Sequence, residues 1–130
     1  MPVDPPCPCG LPARLSACCG RWFAGPQHLQ APDAQALMRS RYSAYSLRLA
    51  DYLRATWHTS TRPAALDFPG NQRWLGLQVL AHVQPAADQA SVAFVARYKL
   101  AGRAQVLAET SRFVREGGRW FYVDGDVDAG

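Results

Sequence analysis

All four cysteines fall inside one stretch of thirteen residues: Cys7-Pro8-Cys9-Gly10, seven residues, then Cys18-Cys19-Gly20. Four thiolates this close repel one another unless a cation lies between them, and zinc, soft and tetrahedral, suits four sulfurs best. The spacing therefore predicts a structural zinc knuckle with Cys7, Cys9, Cys18 and Cys19 as ligands. Two disulfides, Cys7 with Cys18 and Cys9 with Cys19, or an iron–sulfur site, are the competing readings. Met1-Pro2-Val3-Asp4 lacks the basic start and apolar middle of an export signal, so a reducing, cytoplasmic setting is expected, where clustered cysteines favour metal. No apolar run approaches the roughly 20 residues that cross a bilayer, and no membrane partner is expected.

A knuckle of this size buries no core of its own. Residues 1–28 are read as the knuckle and residues 29–130 as one further domain. Pro2, Pro5, Pro6, Pro8 and Pro12 hold the opening extended. Gly10 and Gly20 are expected at positive backbone angles that turn main-chain N–H groups toward sulfur. Trp22 and Phe23 are candidates to anchor the knuckle to the body, and Gly25-Pro26 reads as a linker. The formal net charge of +4 falls to +2 once four thiolates (−4) and one divalent zinc (+2) are counted, which disfavours nucleic acid as a partner.

From Asp33, a candidate cap, Leu37, Met38, Tyr42, Tyr45 and Leu49 recur at helical spacing. A second helix is predicted from Asp51, as its cap, to Trp57. One more turn is expected from Pro63 to Leu66. Beyond Trp74 the period drops to two. Leu75, Leu77, Val79, Ala81 and Val83 should share one face of a first strand, and Val92, Phe94, Ala96 and Tyr98 one face of a second. A third strand starts after Gly102, and Gly117-Gly118 predicts a two-residue hairpin. Its register would place Glu116 opposite Arg119, Val114 opposite Phe121, Phe113 opposite Tyr122, Arg112 opposite Val123 and Ser111 opposite Asp124. The tail after Gly125 is read as loose. Helices followed by a four-stranded antiparallel meander define an α+β domain.

These stretches resemble a known family. The knuckle resembles the SEC-C motif, although Leu11-Pro12-Ala13-Arg14-Leu15 replaces the usual Ser-Gly-Lys-like turn. Residues 36–45, Ala55-Thr56-Trp57-His58, Ser60-Thr61-Arg62-Pro63 and Ser111-Arg112-Phe113-Val114-Arg115 resemble the YchJ-like family of bacterial proteins. That resemblance implies a nuclear transport factor 2-like (cystatin-like) body, a cone of helices on a curved antiparallel sheet of about four strands.

Candidate pocket residues are Tyr42, Tyr45, Trp57, His58, Glu109, Ser111 and Tyr122, with Asp124 on the same hairpin face. Arg39 and Arg41 are read either as an anion site or as a solvated, ion-paired surface. His28 and His82 lack metal-ligand spacing. The chain contains no phosphate loop, dinucleotide fingerprint or nucleophile elbow, and no catalytic residue is assigned. The favoured function is a non-enzymatic module: the knuckle would meet a protein partner, the cone would hold a small ligand, and the sheet could serve a homodimer. The alternative is an isomerase, dehydratase or hydrolase using the cone's pocket.

Overall fold

The computed structural model describes residues 4–127. The knuckle opens as a small loop closed by an antiparallel bridge between Pro6 and Arg14, with Cys7 N–H donating to the Ala13 carbonyl at 2.9 Å. Asp4 fastens it from outside, its carboxylate accepting the Ser16 N–H at 3.0 Å and the Ser16 hydroxyl at 2.6 Å. Gly10 has the expected positive φ, +90°. Gly20 does not. It opens α1 (Gly20–Phe23), where a Cβ would stand 2.6 Å from the Leu15 carbonyl oxygen, so close approach and not backbone angle selects glycine there.

The body begins with α2 (Ala34–Leu47), capped by Asp33, whose Oδ1 accepts the Ala36 N–H at 2.7 Å. Arg48 turns left-handed (φ 59°) and lets Leu49 N–H bond the Ala44 carbonyl at 2.8 Å, so the helix closes before Leu49. Leu49 instead occupies the cap position of α3 (Ala50–Ala55), and Asp51 lies in its first turn, where an acidic side chain suits the positive end of the helix dipole.

Trp57 is not helical. Residues 56–58 leave α3 and run beside the last strand, with Tyr122 N–H donating to the Thr56 carbonyl at 2.8 Å and His58 N–H to the Tyr122 carbonyl at 2.7 Å. No helical turn forms from Pro63 to Leu66.

Four antiparallel strands follow in the order in which they occur: β1 (Gln72–Ala86), β2 (Gln89–Leu100), β3 (Arg103–Glu116) and β4 (Arg119–Val127). The turn Ala101-Gly102 and the turn Gly117-Gly118 each place two residues in succession at positive φ, the backbone twist that a two-residue hairpin needs.

Bulges account for the departures from strict alternation. β1 shifts register between Trp74 and Gly76 and again between Val79 and Ala81. Trp74, Leu77, Val79 and His82 consequently share the inner side, while Leu75, Leu80 and Val83 face outward. β2 keeps its period, with Val92, Phe94 and Ala96 buried and Tyr98 half-buried behind them. In the last hairpin Glu116–Arg119, Val114–Phe121 and Phe113–Tyr122 pair as read from the loop length. A further shift then sets Arg112 opposite Asp124 and Ser111 opposite Gly125, with Val123 the extra residue. β4 extends to Val127, so Asp126 belongs to the sheet; residues 128–130 lie outside the described range.

The inner face of α2, with Leu37, Met38, Tyr42 and Ala44 buried, lies against the concave side of the sheet at Phe94, Ala96 and Phe113. Asp33→Ala removes one N-cap acceptor from the helix that carries this face. It is expected to lower the unfolding free energy by about 1 kcal/mol, read from the shift of a urea transition at unchanged slope.

Candidate metal centre and ligand cavity

The loop and turn of the knuckle bring Cys7, Cys9, Cys18 and Cys19 together as four free, buried thiols with every sulfur within 4.8 Å of the others. Cys9 and Cys18 sulfurs stand 3.7 Å apart. Four sulfurs about 2.3 Å from a central ion form a tetrahedron with edges of roughly 3.8 Å, so the cluster has the size a four-thiolate site requires. Cys9 is drawn down to about 5, mainly by a hydrogen bond from Cys19 and also by the Leu11 main-chain N–H. Cys19 is pushed up by the same bond, and Cys18 rises to about 11, first through burial. One thiolate thus draws on its neighbours as donors, an arrangement that a divalent cation would replace by four shared charges.

The cluster is built onto the body. Cys7 Sγ lies 3.5 Å from the Ser43 hydroxyl of α2, and Arg39 Nη1 donates to the Cys9 carbonyl at 3.2 Å. Trp22 is buried behind the sulfurs with the Arg21 guanidinium 4.5 Å from its ring centre. Phe23 meets Tyr52 edge-on at 4.8 Å, and Tyr52 in turn shares a 2.7 Å hydrogen bond with Ser40.

A second site opens between α2 and the sheet, a cavity of about 240 Å³. Met38, Arg41, Tyr42 and Tyr45 form its helical wall, a stripe of steps of three and four. Trp74, Phe94, Ala96, Leu107 and Phe113 supply the apolar sheet side, and Glu109, Ser111 and Tyr122 its polar corner. The Ser111 hydroxyl donates to Glu109 Oε2 at 2.5 Å, and the Glu109 carboxyl lies on Gly125, where a Cβ would displace it. Burial pushes Tyr42 and Tyr122 up to about 12, so both phenols keep their protons at neutral pH.

Arg41 is not a surface residue. Its side chain is buried, with Nη1 donating to the Leu53 carbonyl at 2.8 Å and to Thr56 Oγ1 at 2.7 Å. The guanidinium carbon lies over Trp57 (4.9 Å to the ring centre) and Tyr122 (4.5 Å), two rings nearly perpendicular to each other. Burial lowers its pKa, with Tyr45 the largest opposing influence.

Of the seven candidate pocket residues, Tyr42, Tyr45, Glu109, Ser111 and Tyr122 line the cavity; Trp57 and His58 do not. Trp57 lies behind Arg41, its indole N–H donating to the Thr61 hydroxyl at 3.2 Å. His58 faces the outer end of the last hairpin, with Nδ1 2.7 Å from Ser60 Oγ and Nε2 2.8 Å from Glu116 Oε2. The bulge at Val123 turns Asp124 out to Arg112 (2.6 Å), away from Glu109 and Ser111. Arg41 and Trp74 are functional candidates that the expected pocket omits. The signal for Arg41 was its place three residues after Met38 and four before Tyr45, on the stripe that faces the sheet.

Residues 33–125 match the model described as the middle, NTF2-like domain of YchJ. The chain belongs to the YchJ-like family. A UPF0225 protein of Polaromonas naphthalenivorans is 56% identical over 133 residues, spanning 93% of this chain and 96% of its own length. Another, from Methylibium petroleiphilum, is 58% identical over 124 residues, spanning 95% and 89%. Among solved structures, the solution structure of a SEC-C motif containing protein from Rhodopseudomonas palustris superposes with a TM-score of 0.81 at 31% identity, covering 94% of this chain and 98% of that one. The crystal structure of a SEC-C motif containing protein from Psychrobacter arcticus gives 0.76 at 28% identity, covering 95% and 83%. Both likenesses extend over more of the chain than the NTF2-like match does. The α+β fold of this family, with its cysteine cluster set as a knuckle on the cone, is the fold found here.

Because the sulfur cluster shares one buried cluster with α2, metal removal is expected to weaken the whole chain. Adding a chelator should move the urea midpoint of the body's tyrosine and tryptophan signals; a midpoint unmoved by chelator would mean the knuckle unfolds separately. His58→Gln loses the Glu116 contact at a partly exposed site and is expected to cost under about 1 kcal/mol, seen as a small drop in thermal midpoint.

Proposed function

We propose that the protein is a non-enzymatic module in which a zinc-closed knuckle braces a cone that binds a small ligand. The observation that carries this reading is the cavity between α2 and the sheet, walled mostly by apolar and aromatic side chains with a few polar groups gathered at one corner. Four cysteines leave no open coordination position, so zinc here would be structural and its chemistry confined to holding the loop. The cavity favours a small ligand over a protein as the primary partner, and its roughly 240 Å³ is below the 300 Å³ or so at which drug-sized sites begin. Acid–base catalysis would need a titratable pair facing the substrate. Among the described residues no histidine lines the cavity, and Glu109 is engaged by Ser111.

Metal analysis of protein purified without chelator is expected to find one zinc per chain, lost in Cys9→Ser; two disulfides in place of the metal would overturn the zinc assignment. For the cavity, amide spectra of the full chain titrated with 2-phenylethanol, phenylacetate and 2-phenylethylamine should show saturable shifts around Trp74, Phe113 and Tyr122 with at least one probe. Ala96→Leu, which adds bulk inside the cavity, should abolish them. Failure of all three probes overturns the ligand-binding reading.

A further inference from the structure

We infer that the ligand is a small monocarboxylate with an apolar body, its carboxylate held by Arg41; this rests on the ligand-binding reading above. The Arg41 side chain is only 5% exposed yet borders the cavity. Both of its protein acceptors, the Leu53 carbonyl and the Thr56 hydroxyl, are taken by Nη1. Its Nε and Nη2 bond no carbonyl or carboxylate among the described residues, the Tyr45 hydroxyl being the one further polar group against the guanidinium, and Arg41 takes part in none of the ion pairs formed there. A guanidinium keeps its proton under any physiological condition, so the fold encloses a lasting positive charge with no directly paired carboxylate. Contacts with the Trp57 and Tyr122 rings hold the group in place.

A charge removed from water is stabilised most by an opposite charge with matching hydrogen-bond geometry, and a carboxylate accepts two parallel N–H bonds from a guanidinium. Glu109 is near enough for its charge to favour the Arg41 cation, yet among the described residues no carboxylate pairs with Arg41 directly, since Glu109 makes no ion pair and accepts from Ser111. The remaining lining selects among anions. Tyr42, Trp74, Phe94 and Phe113 offer flat apolar contact to a hydrocarbon or aryl body and little to a hydrated dianion. Glu109 places a second carboxyl in the same cavity, which disfavours a doubly charged ligand such as a phosphate monoester.

The test uses the same full-length, metal-loaded chain and the same three probes, which share a phenyl body and differ in charge. Phenylacetate is expected to bind on the order of tenfold more tightly than 2-phenylethanol or 2-phenylethylamine, the size of one charge-assisted hydrogen-bonded contact. Arg41→Met should erase that preference. Because removing a buried arginine can also impair folding, Glu109→Gln provides an independent arm: deleting the repelling charge should tighten phenylacetate several-fold and leave the alcohol unchanged. Equal affinities for the three probes, a preference for the amine, or phenylacetate binding indifferent to Glu109→Gln would each overturn the carboxylate assignment while leaving the cavity reading intact. Binding of none of the three would overturn both.

Discussion

The helices and the sheet meet at Arg41. Its guanidinium satisfies the Leu53 carbonyl near the end of α3 and the Thr56 hydroxyl at its cap, where unpaired carbonyls collect partial negative charge. The rings of Trp57 and Tyr122, which meet edge to face at 5.0 Å, both lie against the same group. One side chain thereby ties α2 to α3, to the segment paired with β4, and to β4 itself. Burying an arginine without a carboxylate is costly, and breaking such an arrangement by removing one partner is costlier than never having built it. A leucine or methionine could fill the volume on this helical stripe, yet neither could bond the end of α3. The cation is therefore used for its directional hydrogen bonds, at the border of the cavity.

The sheet determines what else shares that space. Each bulge adds one residue to one strand, bends it, and reverses which side chains face the helix. In β1 the first two of three shifts send Leu75 and Leu80 outward and bring Trp74 over the cavity, where it meets Tyr42 at 5.5 Å and Tyr98 at 5.0 Å. In β4 the shift at Val123 separates two carboxylates that strict alternation would place together. Asp124 goes to Arg112 on the outside; Glu109 stays inside over Gly125. The carbonyl of the extra residue is not wasted, since it accepts the Thr61 hydroxyl at 2.5 Å and so fastens the segment that leaves α3. Curvature, cavity and the choice of buried acid thus have a common cause in strand register.

Features governed by local chemistry were legible in the residues: the four cysteines, the Asp33 cap, the paired glycines of the last hairpin, and the unbroken alternation of β2. Those that escaped depend on partners far along the chain. A bulge has no reliable residue signature; Gly76 hints at one, Val79 to Ala81 carries no hint, and Val123 looks like any strand valine. Trp57 has the spacing to continue α3 from Leu53, but pairing with Tyr122 draws the chain out of helix. Arginine on a helix is ordinarily solvated, and the acceptors that bury Arg41 lie twelve and fifteen residues away on another element. At Gly20 the demand for glycine comes from a short contact to Leu15, which leaves no trace in backbone-angle preferences.

The knuckle and the cavity occupy opposite faces of the same helix turns, which links their physics. Ser43 faces the sulfurs, Ser40 bonds Tyr52 beneath Phe23, and Arg39 holds the Cys9 carbonyl; one or two residues along, Met38, Arg41, Tyr42 and Tyr45 line the cavity. Successive helical residues are rotated by about 100°, so a rotation or shift of α2 that relaxes one set moves the other. Among the described residues the buried thiols have one another, Ser43 and the Leu11 N–H as hydrogen-bond partners. A tetrahedral ion would replace these contacts with four bonds of fixed length and direction, locking the loop against α2. A closed metal site with no chemistry of its own would then set the position of the arginine on which the cavity depends.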